Sequence, residues 1–204
     1  LYENTSGTNN TAVGRLALCS NTTAAGNVAV GYNALVANTE GGCNTAVGCN
    51  AGGTMTTATN NVAMGRASMG NTTTGSENTA LGALSLQTNS EGSQNTAVGC
   101  GAVKANTTAH HNTGLGWNAL TAGTTGAENT AVGSNALKAN TTGCKNTSVG
   151  YVSLCALSGD GNENTAAGYA AGCSITTGDN NVTLGYRAGR DLTTGNCNIL
   201  IGPS

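Results

Sequence analysis

A glycine returns every 17 residues from one end of the chain to the other, at Gly14, Gly31, Gly48, Gly65, Gly82, Gly99, Gly116, Gly133, Gly150, Gly168, Gly185 and Gly202, with one step of 18 between Gly150 and Gly168. Each glycine closes a copy of the beat Asn44-Thr45-Ala46-Val47-Gly48. So short and regular a period describes units that cannot bury an apolar face alone and must stack on their neighbours. With the glycine as position 0, the copy reads Gly-x-x-Ala-Leu-x-x-Asn-Thr-Thr-Gly-x-x-Asn-Thr-Ala-Val, as from Gly133 to Val149. A copy this short cannot hold a helical hairpin, and its Gly, Asn and β-branched content disfavours any helix. The expectation is an all-β fold, a parallel β-solenoid of the β-helix or β-roll kind. Residues 1–204 would form a single domain of about twelve 17-residue coils.

The copies serve as an internal alignment. Position 13 is Asn in every one, including Asn44, Asn129 and Asn146, and position 0 is always Gly, including Gly48, Gly133 and Gly150. Stacked Asn amides can bond along the stack, and Gly suits a corner that needs positive φ. Between them lies a short strand over positions 13 to 16. Position 14 is β-branched throughout and position 16 apolar, as in Val47, which predicts that both point inward. Position 15 is Ala, Gly or Ser from Ala12 to Ala166. Pointing outward, a column so restricted in size, exemplified by Ala46, predicts close packing against another chain. Position 3, always Ala or Ser, and position 4, usually Leu, suggest a second strand and a further close contact. The paired threonines at positions 8 and 9, such as Thr141-Thr142, suggest a third side. The copy from Gly150 to Ala167 absorbs its extra residue in a bulged turn at Ser158 to Asn164.

Composition excludes several functions. The net charge is -2, with 8% charged residues and no basic stripe, so phosphate-driven nucleic-acid binding lacks its electrostatic basis. No run approaches the ~20 apolar residues of a membrane-spanning helix. The chain opens at Leu1 and ends at Ser204 within copies of the repeat, which leaves two expectations: caps outside this segment, or subunits stacked end to end.

The motifs Gly31-Tyr32-Asn33-Ala34-Leu35, Asn140-Thr141-Thr142-Gly143 and Asn146-Thr147-Ser148-Val149-Gly150 resemble the repeat arrays of bacterial and phage tail-fibre-like surface proteins. The Asn-Thr-Ala-Val-Gly beat is also similar to the Asn-Ser-Val-Ala-Ile-Gly beat of trimeric autotransporter adhesin heads. The likeness runs through essentially the whole chain. It implies left-handed β-rolls assembled as trimers, placed outside the cell, on the cell surface or on a virion appendage, and used in adhesion. It carries over no catalytic residues and no cofactor.

Individual residues offer three further candidates. Cys155 and Cys173 share one repeat position in adjacent copies, so stacking sets their backbones about 4.8 Å apart, within disulfide range. Tyr32, Trp117, Tyr151, Tyr169 and Tyr186 all follow a corner glycine, and would either grip a sugar or partner or cover the corner as a stiffening ladder. Asp160, Asn162 and Asn164 alternate as in a calcium loop but lack its closing bidentate acid. The adjacent His110 and His111 are too few for zinc. Asn-x-Thr triplets at Asn21, Asn71, Asn106 and Asn140 match glycosylation acceptors, though the repeat generates such triplets by itself.

The sequence therefore predicts a non-enzymatic, self-associating structural protein of an extracellular fibre, filament or homotrimer, with no cofactor and no metal. An adhesin or tail-fibre shaft binding glycans on a host surface is the alternative, and an ice-binding protein the second alternative.

Overall fold

A computed structural model describes residues 1–203. Ser204 lies outside the described residues. The chain is a parallel β-solenoid with one three-residue strand per coil. The strands are β1 (Thr11–Val13), β2 (Val28–Val30), β3 (Thr45–Val47), β4 (Val62–Met64), β5 (Thr79–Leu81), β6 (Thr96–Val98), β7 (Thr113–Leu115), β8 (Thr130–Val132), β9 (Thr147–Val149), β10 (Thr165–Ala167), β11 (Val182–Leu184) and β12 (Ile199–Ile201). They form one sheet in sequence order, each paired in parallel and in register, so that Ala29, Ala46 and Ala63 lie on one another.

Two expectations about the coil reverse. Position 15 points inward: Ala29, Ala46, Ala80, Ala97 and Ala131 are fully buried. Positions 14 and 16 point outward, with Val13 56%, Val149 41% and Ile201 74% exposed. The small residue is required because the coil is narrow, not because a neighbouring chain presses on it. Across the interior, column 15 meets column 3. Where both are serine, the Ser148 and Ser153 hydroxyls lie 2.5 Å apart. Position 3 is likewise interior, so neither small column supplies the interchain contact that the sequence suggested.

Positions 3 and 4 are no strand either. The residues at positions 2 and 4 turn left-handed, as at Asn33 (φ 55) and Leu35 (φ 49), or Leu16 (φ 61) and Leu18 (φ 49). A leucine strained in this way persists because the twist drives its side chain into the core, where Leu18, Leu35, Leu86, Leu120 and Leu137 are essentially inaccessible. At position 0 the need for glycine is absolute. A Cβ on Gly99 (φ 130) would sit 2.5 Å from the carbonyl oxygen of Gly116.

Interior volume is balanced within several coils. Where position 4 is Gly52 or Gly172, position 7 carries Met55 or Ile175 in place of the usual Asn, and both side chains are buried. Where position 4 is the β-branched Val103, position 15 is Gly114, whose Cβ would meet Val103 Cγ2 at 2.5 Å.

Side-chain ladders close the turns. Each position 13 Asn accepts the amide of the next: Asn112 N on Asn95 Oδ1 at 2.9 Å. Its own Nδ2 reaches the carbonyl at position 10 of the following coil, as from Asn95 to Ala109 at 2.9 Å. A second ladder joins the position 7 asparagines, Asn38 Nδ2 donating to Asn21 Oδ1 at 3.0 Å. It breaks where the next coil carries Met55, Gly123 or Leu157, leaving Asn38, Asn106 and Asn140 with unpartnered Oδ1 atoms. Position 8 hydroxyls donate to the next position 8 carbonyl, as from Thr107 to Thr124 at 3.1 Å. Column 11 varies in identity, and in part of the stack its side chains form an acceptor ladder. Backbone amides donate to Ser76 Oγ, Ser93 Oγ, His110 Nδ1 and Asn162 Oδ1 in turn.

Asn95→Ala removes an acceptor and two donors at a fully buried site and is expected to lower stability by about 3–5 kcal/mol, read by chemical denaturation. Gly114→Ala alone should cost about 1–3 kcal/mol by overpacking. Val103→Leu combined with Gly114→Ala should restore most of that loss, since Leu86 with Ala97 already fills the preceding coil this way.

Candidate interaction surface

Because positions 14 and 16 face outward in every coil, the sheet carries two parallel columns along its whole length. One runs from Thr11 through Val28, Thr45 and Val62 to Ile199, and the other from Val13 through Met64 and Leu81 to Ile201. All the side chains in them are Thr, Val, Ile, Leu, Met or Ala, with no charge among them. Charged residues lie instead on the turns and corners, as at Arg15, Glu40, Glu77, Lys104 and Glu128. The strip is uniform for a local reason: β-branched residues suit exposed pleats, and parallel register repeats each choice on the next rung. At ~4.8 Å per strand it is ~57 Å long, and two columns make it ~10 Å wide.

The aromatic residues follow the corner at the edge of this strip. Tyr151, Tyr169 and Tyr186 stack face to face, with centroids 5.5 and 5.4 Å apart. Arg187 lies over the Tyr186 ring at 5.2 Å and Arg15 over Tyr32 at 5.6 Å. The triplet is therefore a stiffening ladder whose ring faces cover one another. Trp117, 55% exposed, has Cys100 and Ser134 as its neighbours in the column instead of rings.

The calcium candidates do not converge. Asn164 is buried in the position 13 ladder, where its Nδ2 donates to Gly178 and its Oδ1 accepts the Asn181 amide. Asn162 Oδ1 accepts the Cys144 amide, and Asp160 accepts the Thr142 hydroxyl at 3.0 Å. Among the described residues no group of three His, Cys, Asp or Glu side chains is placed to hold a metal. His110 serves the column 11 ladder as an acceptor. The triplet asparagines Asn21, Asn106 and Asn140 are fully buried, whereas Asn71 is exposed.

All eight cysteines are free thiols, including Cys155 and Cys173. Burial pushes the Cys155 thiol up, and the neighbouring Cys173 adds to the shift. Among the described residues no helix is long and apolar enough to cross a membrane. No protein-family model, no curated protein and no solved structure matches the chain. The functional reading therefore rests on the surface itself.

The sequence pattern does not mark the strip as a surface: it predicts these columns as core, because it gives the alternation but not the sign of the face. The missed signal was size: position 15 never exceeds Ser until Thr183, which fits a narrow interior better than an outer contact.

Proposed function

We propose that the chain is a non-enzymatic structural element of an extracellular fibre, and that it self-associates side by side through the outward strip of β1 to β12. The observation that carries this reading is a charge-free strip, one column mostly threonine and the other wholly aliphatic, running the whole length of the solenoid. Such patches on soluble proteins mark interaction sites. Two copies packed face to face would bury roughly 1,200 Å² in total, at the lower bound of standard interfaces. The common axial repeat lets the side chains of one copy fall between the rungs of the other. Extracellular placement follows from the resemblance of the repeat to surface fibres, and a trimer sharing these faces is the symmetry that the same resemblance favours.

A glycan-binding shaft is the second reading, favoured by Trp117, whose ring is exposed at a corner. Of the paired threonines on which an ice-binding reading rests, the position 8 hydroxyls are engaged with backbone carbonyls.

In sedimentation at tens of micromolar the chain is expected to run as a dimer or larger assembly. Val98→Lys with Leu115→Lys, both outside the core, should shift it to monomer with unchanged circular dichroism. A wild-type chain that is monomeric under these conditions would overturn the proposal. On a glycan array, Trp117→Ala should abolish any binding while leaving the assembly intact; binding retained by that variant would remove the second reading.

A further inference from the structure

Cys155 and Cys173 are both the fifth residue after a corner glycine, in successive coils. In-register stacking sets their Cα atoms about 4.8 Å apart, inside the range a disulfide spans. The register at this step is pinned by the Leu154 amide on the Ala171 carbonyl at 3.0 Å. Elsewhere in the column the amide at position 6 takes the position 5 carbonyl of the next coil, as Asn71 does on Gln87 and Ala105 on Thr121. Here the Cys155 thiol donates to the Cys173 carbonyl, at 3.6 Å. The thiol already lies over its neighbour's backbone. Lys138 and Arg190 occupy the flanking rungs of the same column, so the pair sits between two cations.

The segment between the two cysteines is the irregular one. It holds the extra residue, and the position 8 hydroxyl ladder that runs to Thr141 resumes at Thr176. No other cysteine has a cysteine at its own position in an adjacent coil.

We propose that Cys155 and Cys173 are an oxidisable pair whose disulfide staples the irregular coil to the next one. The oxidant is a small disulfide of the glutathione class. The Cys173 thiolate attacks one of its sulfurs, the S–S bond breaks, and a glutathione thiolate leaves and takes up a proton. The Cys155 thiolate then attacks the Cys173 sulfur of the mixed disulfide and releases the second glutathione. The protein gives up two electrons and two protons, all of which appear on two glutathione molecules. Cys173 attacks first because burial holds the Cys155 thiol above its usual range.

The test uses the full chain, reduced, desalted and equilibrated with glutathione disulfide at neutral pH. It is then cut after Glu163, since no Lys or Arg lies between the two cysteines, and mapped without reduction. The expected result is a linked peptide joining Cys155 to Cys173 with no glutathione on either, whatever adducts the exposed Cys43, Cys49, Cys100 and Cys197 take up, and a thermal midpoint above that of the reduced chain. Cys155→Ser and Cys173→Ser should each abolish the link and leave the remaining partner as a glutathione adduct. Eight titratable thiols after equilibration, a stable glutathione adduct in the wild type without the link, or a bridge joining other cysteines or two chains would overturn the proposal.

Discussion

The structure depends on one buried amide per coil. A chain that turns through a full circuit in 17 residues directs backbone N–H and C=O groups into an interior that water cannot enter, and a buried polar group left unpaired is costly. The position 13 asparagine resolves this in both directions, as Asn129 does by donating to the Gly143 carbonyl and accepting the Asn146 amide. Its geometry holds only if the next coil places the same atoms one rung higher. The period is thereby locked. The 18-residue coil keeps the ladder intact, Asn164 N on Asn146 Oδ1 at 2.9 Å, and places its extra residue around Gly159, where a Cβ would meet nothing.

Within that frame the core is thin and exact in volume. Most coils are filled by one large residue at position 4, or by one at position 7 beside a glycine, against two small columns, and the irregular coil buries both Leu154 and Leu157. Ladders and core are coupled, since a coil that places an apolar side chain at position 7, as Met55 or Leu157, gives up the Asn there and orphans the amide oxygen of the coil before it. Stiffness comes from the ladders, whereas shape comes from the small residues.

The outer surface follows from the same register. Parallel register stacks like on like, so a mild preference for β-branched side chains becomes a continuous charge-free strip of threonine and aliphatic residues, while the turns collect the few charges. Function, on this reading, belongs to a column and not to a residue. This accounts for why the histidines, the Asp160 turn and the buried Asn-x-Thr triplets, each suggestive alone, dissolve into turn and ladder roles.

The sequence by itself determined the period, the strand, the parallel stacking and the two invariant columns, because Gly14 to Gly202 and the asparagines at position 13 recur without exception and leave the chain no other register. It did not determine which way the strand faces. Alternation at Thr45-Ala46-Val47 is the same read from either side. The sign is set by the left-handed turn at Asn33 and Leu35, which sends the leucine inward and leaves room beside it only for a small side chain. That is a property of the closed coil, and tertiary structure alone decided that Ala46 is core and that Thr45 and Val47 are surface.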